Sequence, residues 1–334
     1  MNGNDPMKGD QANKGPLVSA IALLKTIVKK SAQGLPFAGP YLDSYFRLLS
    51  LPHAPGHYYS PIPDIEDLKA REGETWRREN SREIPGIDLN EQAQLQLLDR
   101  LTQYYPQQPF TEHKTAGRRY YFANDFFSFS DGIFYYCMLQ HLKPKRVVEI
   151  GSGFSSCVLL DTNDLFFDSG IRCTFIDPNP QRLYGLLEPA DINKIEVVPK
   201  QLQDIGLSCF SELSAGDILF VDSSHVSKTG SDVNMILFDI LPALPAGVHI
   251  HVHDIFYPFE YPREYVYRQW AWNELYLLRA FLCYNRDFRI TIFPSFLERF
   301  HGEHLQNALP LAWRHPPKWP TLRGASLWIE RVQA

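Results

Sequence analysis

The sequence has few cysteines, no excess of basic residues and no long apolar run, and each absence excludes a class of protein. Five cysteines among 334 residues form no CxxC pair, which argues against a zinc ribbon or a disulfide framework and favours buried thiols in a reducing cytoplasm. Lys and Arg number 33 against 38 Asp and Glu, so a nucleic-acid binder that depends on phosphate contacts is not expected. Hydrophobic residues make up 44% of the chain, enough to bury a large core.

Segment 16–33 comes nearest to a membrane segment. Leu17, Ile21 and Leu24 follow helical spacing, but Lys25 interrupts the apolar run. The run is therefore shorter than the ~20 residues that cross a bilayer, and a signal peptide is not expected. The favoured interpretation is an amphipathic helix docked on the protein or on a partner, and a membrane-surface helix is the alternative. We expect a cytoplasmic chain without a transmembrane segment.

After Pro144 the sequence alternates between two kinds of segment. Short runs rich in β-branched residues are separated by stretches long enough for a helix, which predicts an α/β, doubly wound and mostly parallel sheet. The predicted strands are 146–151, 173–177, 194–199, 217–222, 248–254, 288–294 and 325–332. Further helices are predicted from Asp88, where Glu91 gives capping-box spacing, and at 130–142. We expect an α/β domain at 118–334 preceded by a helical and irregular extension at 1–117.

The first strand leads into the turn EIGSGFSS. Gly151 and Gly153 permit a tight turn before a helix that begins near Ser155, and ligands of such sheets bind at the carboxyl ends of the strands. Glu149 lies within the strand and needs a partner, because a buried carboxylate is costly when unpaired. Ser156 stands where a dinucleotide fingerprint has its third glycine, which disfavours a nicotinamide cofactor.

The second and third strands end in polar residues as well. Asp177 closes the second strand, where a carboxylate can accept hydrogen bonds from ribose hydroxyls. Its alternative role is a cap for the helix that follows. Gln203 and Asp204 follow the third strand, in a position from which an adenine edge could be read.

The fourth and fifth strands carry the residues suited to acid–base or metal chemistry. Asp222 ends the fourth strand, with His225 three residues later, and His253 and Asp254 end the fifth. If the two strands are adjacent, Asp222 and Asp254 face each other, and two carboxylates repel unless one is protonated or a cation lies between them. Magnesium suits such oxygen ligands. A helix cap at Asp222 is the alternative, and His225 is predicted as general base because its ordinary pKa lies near neutrality.

Together, EIGSGFSS, FIDPNP, VDSSH and HVHDIF resemble the class I S-adenosylmethionine-dependent methyltransferases over residues 118–334. The resemblance implies a Rossmann-like sheet of order 3-2-1-4-5-7-6, in which the last strand, 325–332, is antiparallel. It also implies an S-adenosylmethionine site. In that site Gly151, Gly153 and Ser155 would lie at the methionine part, Glu149 beneath it, Asp177 at the ribose, and Gln203 with Asp204 at the adenine.

The polar residues after the fourth and fifth strands are similar to those of metal-dependent sugar and catechol O-methyltransferases. That similarity implies Mg²⁺ bound by Asp222, Asp254 and His253, and a hydroxyl acceptor on a small molecule or saccharide that His225 deprotonates. Two other readings stay open, a nicotinamide-dependent oxidoreductase and a catalytically inactive cofactor-binding module. The oligomeric state, including a homo-oligomer, stays open too.

Overall fold

The structure, a computed structural model, describes residues 53–319 and 321–332. The helix predicted at 16–33 lies outside the described residues.

The chain divides into two compact units, 1–70 and 71–334, and the predicted domain start at residue 118 stays a prediction. In the first unit, helix α1 spans Ile65–Ala70, and Asp64 Oδ1 caps it by accepting the Glu66 and Asp67 backbone N–H groups at 2.9 and 3.1 Å.

The second unit alternates strands with helices, as predicted. Its helices are α2 Glu72–Thr75, α3 Glu91–Leu101, α4 Phe129–Leu142, α5 Phe154–Phe166, α6 Gln181–Tyr184, α7 Ser208–Ser211, α8 Asp232–Met235, α9 Leu241–Ala243, α10 Arg263–Tyr267, α11 Glu274–Leu282, α12 Pro294–Phe300 and α13 Gly302–Ala308. Its strands are β1 Arg146–Ile150, β2 Arg172–Ile176, β3 Glu196–Val198, β4 Ile218–Val221, β5 His249–His253, β6 Phe288–Ile292 and β7 Ser326–Arg331. Across the described ranges, no helix is both long and apolar enough to cross a membrane.

These strands form one sheet of order β3-β2-β1-β4-β5-β7-β6. The first five are parallel, and β7 runs antiparallel to both β5 and β6. All of β4 is buried, as expected for a central parallel strand covered by helices on both faces. The predicted α/β class, the strand order and the antiparallel last strand are confirmed. Because β1, β4 and β5 are neighbours, their carboxyl ends meet at one edge of the sheet.

Helix α3, predicted to start near Asp88, begins at Glu91, and Asn90 instead of Asp88 takes the cap position. Asn90 adopts a left-handed backbone with φ of 51°, and Asp88 Oδ1 accepts the Asn90 N–H at 2.8 Å. Asp88 therefore stabilises the turn before the helix, and the helix begins at Glu91. The helix predicted at 130–142 is confirmed as α4, which ends at Leu142 just before Pro144.

Candidate active site

A cleft of about 790 Å³ lies at the carboxyl ends of β1, β2, β4 and β5. Its floor is formed by residues that directly follow these strands, which is where ligands bind in open parallel sheets. Those residues are Gly151, Ser152, Asp177, Asp222, Ser223 and Asp254, and His253, the last residue of β5, also lines the cleft. Its volume is in the range of small-molecule sites.

Gly151 is required at the turn after β1 for two reasons. Its φ is +83°, in the left-handed region that favours glycine. A Cβ atom there would also lie 2.1 Å from the backbone carbonyl oxygen of Asp222. The turn after β1 and the end of β4 are therefore in direct backbone contact.

Glu149 lies beneath this turn, fully buried. Its Oε1 accepts hydrogen bonds from the hydroxyls of Ser155 at 2.6 Å and Ser156 at 2.8 Å. Ser156 Oγ in turn accepts the Gly153 N–H at 3.0 Å, so the residue that replaces the third glycine fastens the turn to the strand. Burial raises the pKa of Glu149 to about 8, against the opposing effect of the two hydroxyls. Glu149, Gly153 and Ser155 support the turn and are not among the residues that line the cleft.

Asp177 lines the cleft with its carboxylate held at both oxygens. Ser152 Oγ donates to Oδ2 at 2.7 Å, and the Asn179 backbone N–H donates to Oδ1 at 2.7 Å. Helix α6 begins at Gln181, after Pro180 in the cap position. The alternative role of Asp177 as a cap for this helix is therefore wrong.

Of the two predicted adenine residues, the structure places one in the cleft. Gln203 lines it, and its Nε2 donates to the Gly230 carbonyl at 2.6 Å. Asp204 is exposed and lies outside the lining residues. Leu202, which sequence reasoning did not single out, is buried and lines the cleft, as Ile176 does.

Asp222, His225 and Asp254 converge at the end of β4 and β5. One ligand atom of each lies within 4.8 Å of the other two. His225 Nε2 is 3.3 Å from Asp222 Oδ1 and 3.6 Å from Asp254 Oδ2. Both His225 and Asp254 have positive φ, 59° and 55°, a conformation that is uncommon in residues other than glycine. We call these three residues the triad.

Glu274, the first residue of α11, is a site residue that sequence reasoning missed. It is buried, and its Oε2 lies 2.9 Å from His225 Nδ1. Because a carboxylate only accepts, Nδ1 carries the proton. The other ring nitrogen, Nε2, faces Asp222 and Asp254. Ser223 Oγ donates to the other oxygen of Glu274 at 2.9 Å, which fixes the carboxylate. Glu274 follows no strand, so the pattern of strand ends gave no signal for it.

The charges of the triad set its protonation. Burial disfavours the imidazolium, but hydrogen bonds to Asp222 and Glu274 outweigh burial and raise the pKa of His225 to about 10. Burial likewise disfavours the Asp222 carboxylate, but the neighbouring imidazoles of His225 and His253 prevail and lower the pKa of Asp222. At neutral pH, with no cation bound, the imidazole holds its proton between two carboxylates.

His253 lies beside the triad without belonging to it. Its Nδ1 is 3.6 Å from both Asp222 Oδ1 and Asp254 Oδ2, and its Nε2 is 3.7 Å from Asp131 Oδ2. No hydrogen-bond partner lies closer to either nitrogen among the described residues. Its role as a metal ligand stays a prediction. His251, two residues earlier, is buried in the core with its ring 4.0 Å from that of Phe220.

An aromatic wall extends from the triad. Tyr265 Oη donates to Asp254 Oδ1 at 3.2 Å, and the Trp272 ring lies 4.3 Å from the His225 ring. Trp270 and Trp319 continue the wall, at 4.7 Å from Trp272 and 5.9 Å from Trp270 respectively. These rings come from the aromatic segment 256–272 and from the segment before β7, and all of them line the cleft.

Residues 72–81, which do not line the cleft, hold the aromatic segment in place. Trp76 Nε1 donates to the Tyr261 carbonyl at 2.9 Å. Arg263 pairs with Glu72 at 2.8 Å and Glu79 at 2.5 Å, with its guanidinium over the Trp76 ring. Arg263 is not among the residues that line the cleft. It instead points to this earlier part of the chain, because two carboxylates and an indole receive it there.

Comparison with known proteins gives a family match for the part of the chain that contains the triad. Residues 148–255 match a family model described as a methyltransferase domain. An uncharacterized protein of Archaeoglobus fulgidus is 33% identical over 217 residues, which take in 62% of this chain and 94% of that protein. The match of the family model begins within β1 and ends just after β5, and it includes every residue of the triad.

Solved structures with similar folds include two named methyltransferases. The S-adenosylhomocysteine-bound methyltransferase PaMTH1 of Podospora anserina is 14% identical, covering 81% of this chain and 98% of its own, with a TM-score of 0.37. The O-methyltransferase TomG of Streptomyces achromogenes, solved with S-adenosylmethionine, is 13% identical, covering 72% and 90%, with a TM-score of 0.37.

Proposed function

Since the chain belongs to the class I S-adenosylmethionine-dependent methyltransferases, we propose that it methylates a hydroxyl oxygen of a small molecule held at the triad. The observation that carries the proposal is the convergence of Asp222, His225 and Asp254 at the cleft edge, in backbone contact with the Gly151 turn. Acceptor and cofactor would then meet where β1 and β4 end.

The cofactor would lie along the ends of β1, β2 and β3. The Gly151 turn would take the methionine part, with Glu149 and Ser155 supporting it from below. Asp177 would bind the ribose diol. Each of its oxygens already accepts one hydrogen bond and retains a lone pair for another, so the carboxylate is oriented before the ligand arrives. Gln203 would face the adenine.

The donor set of the triad fits a divalent cation. Two carboxylates and one imidazole can hold Mg²⁺ or Mn²⁺. A ligating histidine normally donates its other N–H to a carboxylate, as His225 does to Glu274. When bound, such a cation lowers the pKa of a coordinated hydroxyl and fixes its oxygen.

The transfer itself is an in-line displacement. A lone pair of the acceptor oxygen forms the new C–O bond while the methyl–sulfur bond breaks and its electrons return to sulfur. The products are the methyl ether and neutral S-adenosylhomocysteine, and the hydroxyl proton passes to water in the cleft. The protein's contribution is alignment of oxygen, methyl and sulfur.

His225 has two candidate roles that use the same nitrogen. As predicted from sequence, Nε2 could take the hydroxyl proton as general base, with Glu274 holding the ring as in other carboxylate–histidine pairs. We favour the ligand role, because in the cation-free site Nε2 keeps its proton at neutral pH between two carboxylate oxygens at 3.3 and 3.6 Å and cannot accept another. A cation placed among the three donors would satisfy all of them.

Metal removal tests the proposal. Protein treated with EDTA should lose methyl transfer to a panel of phenolic and sugar hydroxyls, and Mg²⁺ or Mn²⁺ should restore it. Binding of Mn²⁺, followed by electron paramagnetic resonance, should weaken in Asp222→Asn and stay unchanged in Asp239→Asn, an exposed carboxylate outside the cleft. Full turnover after exhaustive chelation would exclude a role for the cation in the reaction. His225→Ala should then lower the rate about 10²–10⁴-fold, as expected for loss of a general base.

Calorimetric titration with S-adenosylmethionine and with NAD addresses the remaining alternatives. Binding of S-adenosylmethionine alone is expected, and binding of NAD alone would favour an oxidoreductase. Tight S-adenosylmethionine binding with no transfer to any acceptor in the panel would favour an inactive cofactor-binding module.

A further inference from the structure

Residues 72–81, which we call the anchor segment, contact two parts of the chain that reach the triad. They lie outside the region 148–255 that matches the methyltransferase family, and none of them lines the cleft. One route of hydrogen bonds leads from the anchor segment to His225 through the start of helix α11. A second route leads to Asp254 through helix α10.

The route to His225 begins at the buried indole of Trp76. Its Nε1 donates to the Tyr261 carbonyl at 2.9 Å, which fixes the backbone of Tyr261. The Tyr261 hydroxyl accepts the backbone N–H of Leu275 at 3.2 Å, one of the N–H groups that have no partner within a helix at its start. The adjacent Glu274 N–H donates to the His225 carbonyl at 3.1 Å, and the Glu274 carboxylate holds the ring. The start of α11 therefore holds His225 by both backbone and side chain.

The route to Asp254 runs through α10. Arg263 and Tyr267 are four positions apart and therefore share one face of this helix. Glu72 Oε1 accepts from Arg263 Nε at 2.8 Å and from the Tyr267 hydroxyl at 2.9 Å. Tyr265, midway between them, lies on the other face, and its hydroxyl donates to Asp254 Oδ1 at 3.2 Å. Glu72 therefore fixes the rotation of the helix that brings Tyr265 to Asp254.

Both routes end on groups that would face the cation. Tyr265 holds Oδ1 of Asp254, whose Oδ2 lies 3.6 Å from His225 Nε2. We propose that the anchor segment positions the triad. Trp76 acts on His225 through α11. Glu72 acts on Asp254 through α10. This inference rests on the proposed function, because it concerns the same site, and it extends that site to positioning residues outside the matched region.

The affinity for Mn²⁺, measured by electron paramagnetic resonance, tests both routes. Trp76→Phe removes the indole N–H but keeps a ring beneath Arg263, and Tyr265→Phe removes only a hydroxyl. Each should weaken Mn²⁺ binding about tenfold, the lower end of the range for residues that orient metal ligands. Arg263→Met should have the same effect alone and add little to Tyr265→Phe, because both changes act on Asp254 through one helix. Calorimetry should show unchanged affinity for S-adenosylhomocysteine, because neither route includes a residue proposed to bind the cofactor.

Arg299→Met is the matched control. Arg299 lies on α12 and donates to Asn80 of the anchor segment at 3.0 Å, but it belongs to neither route, so the parent's Mn²⁺ affinity is expected. Thermal unfolding shows whether each variant is folded. If Trp76→Phe does not fold, Tyr261→Phe tests the same route by removing the hydroxyl that binds α11. The parent's Mn²⁺ affinity in the folded variants overturns the inference, as does an equal loss in Arg299→Met.

The ring of His225 separates this inference from the proposed cation. Histidine labelled in its ring nitrogens gives an Nδ1 resonance for His225 in metal-free protein, assigned by its absence in His225→Gln. At fixed pH, that resonance should shift in Trp76→Phe and stay in place in Arg299→Met. A shift in a protein that binds no Mn²⁺ refutes the cation and leaves the positioning by Trp76 standing. An unshifted resonance in Trp76→Phe overturns that route whether or not Mn²⁺ binds.

Discussion

Replacing Glu149 with glutamine should remove a large part of the pH dependence of folding stability. The carboxyl is fully buried, and its pKa is about 8 in the folded protein against an ordinary value of 4.5. The folded state therefore binds the Glu149 proton more tightly than the unfolded state. The stability that this provides is complete below about pH 4.5 and is lost as the pH rises through about 8. Between about pH 5 and about pH 8, linkage gives a loss on the order of 3.5 kcal/mol from this group.

Glutamine keeps the shape of the side chain and an oxygen that accepts from Ser155 and Ser156, but it does not titrate. Urea unfolding of both cofactor-free proteins at the two pH values gives the free energies by linear extrapolation. The difference between the proteins isolates Glu149, since their other groups titrate alike. Glu303→Gln, an exposed change on α13, is the matched control and should follow the parent. Equal loss of stability in the parent and in Glu149→Gln would refute the reasoning.

Three further predictions concern binding. Asp177→Ala should weaken S-adenosylmethionine binding by about 1.5–3 kcal/mol, the scale of hydrogen bonds to a charged group. Calorimetry checks it, and unchanged affinity in a folded variant would exclude Asp177 from the site. Removal of residues 1–33 should leave the affinity for S-adenosylmethionine intact, because every proposed contact follows residue 118. Loss of binding with the fold preserved would contradict the domain assignment. Glu274→Gln should weaken Mn²⁺ binding about 10–100-fold, as expected for a residue that orients a metal-binding histidine. Electron paramagnetic resonance measures it, and the parent's affinity in Glu274→Gln would exclude that role.

The sheet could be predicted from sequence because its information is local. Runs such as RVVEI and ILFV are rich in β-branched and other apolar residues, and glycine or aspartate follows them at the point where the backbone must turn. The same strand ends located Asp177, Asp222 and Asp254 in one cleft. The start of α3 was missed because a left-handed Asn90 intervenes, and nothing in the residue type alone requires that conformation.

Site residues set by tertiary contacts lay beyond the sequence pattern. Glu274 reaches His225 from 49 positions away along the chain, and it starts a helix instead of ending a strand. Trp319 enters the cleft from the irregular segment before β7. Asp204 shows the opposite case. Its place after β3 suggested an adenine contact, but the short helical turn at Leu202–Asp204 buries Leu202 and leaves Asp204 exposed.

The fastening of the aromatic segment by residues 72–81 bears on how acceptor preference could be exchanged between relatives. Tyr261 and Arg263 find their partners in Trp76, Glu72 and Glu79, more than 180 positions earlier in the chain. A chimaera that exchanges only the C-terminal half would receive the tryptophans without the scaffold that aims them. Recombination at a single crossover between these segments would therefore separate the aromatic residues from the residues that hold them in place. Grafting a new preference requires moving both segments together.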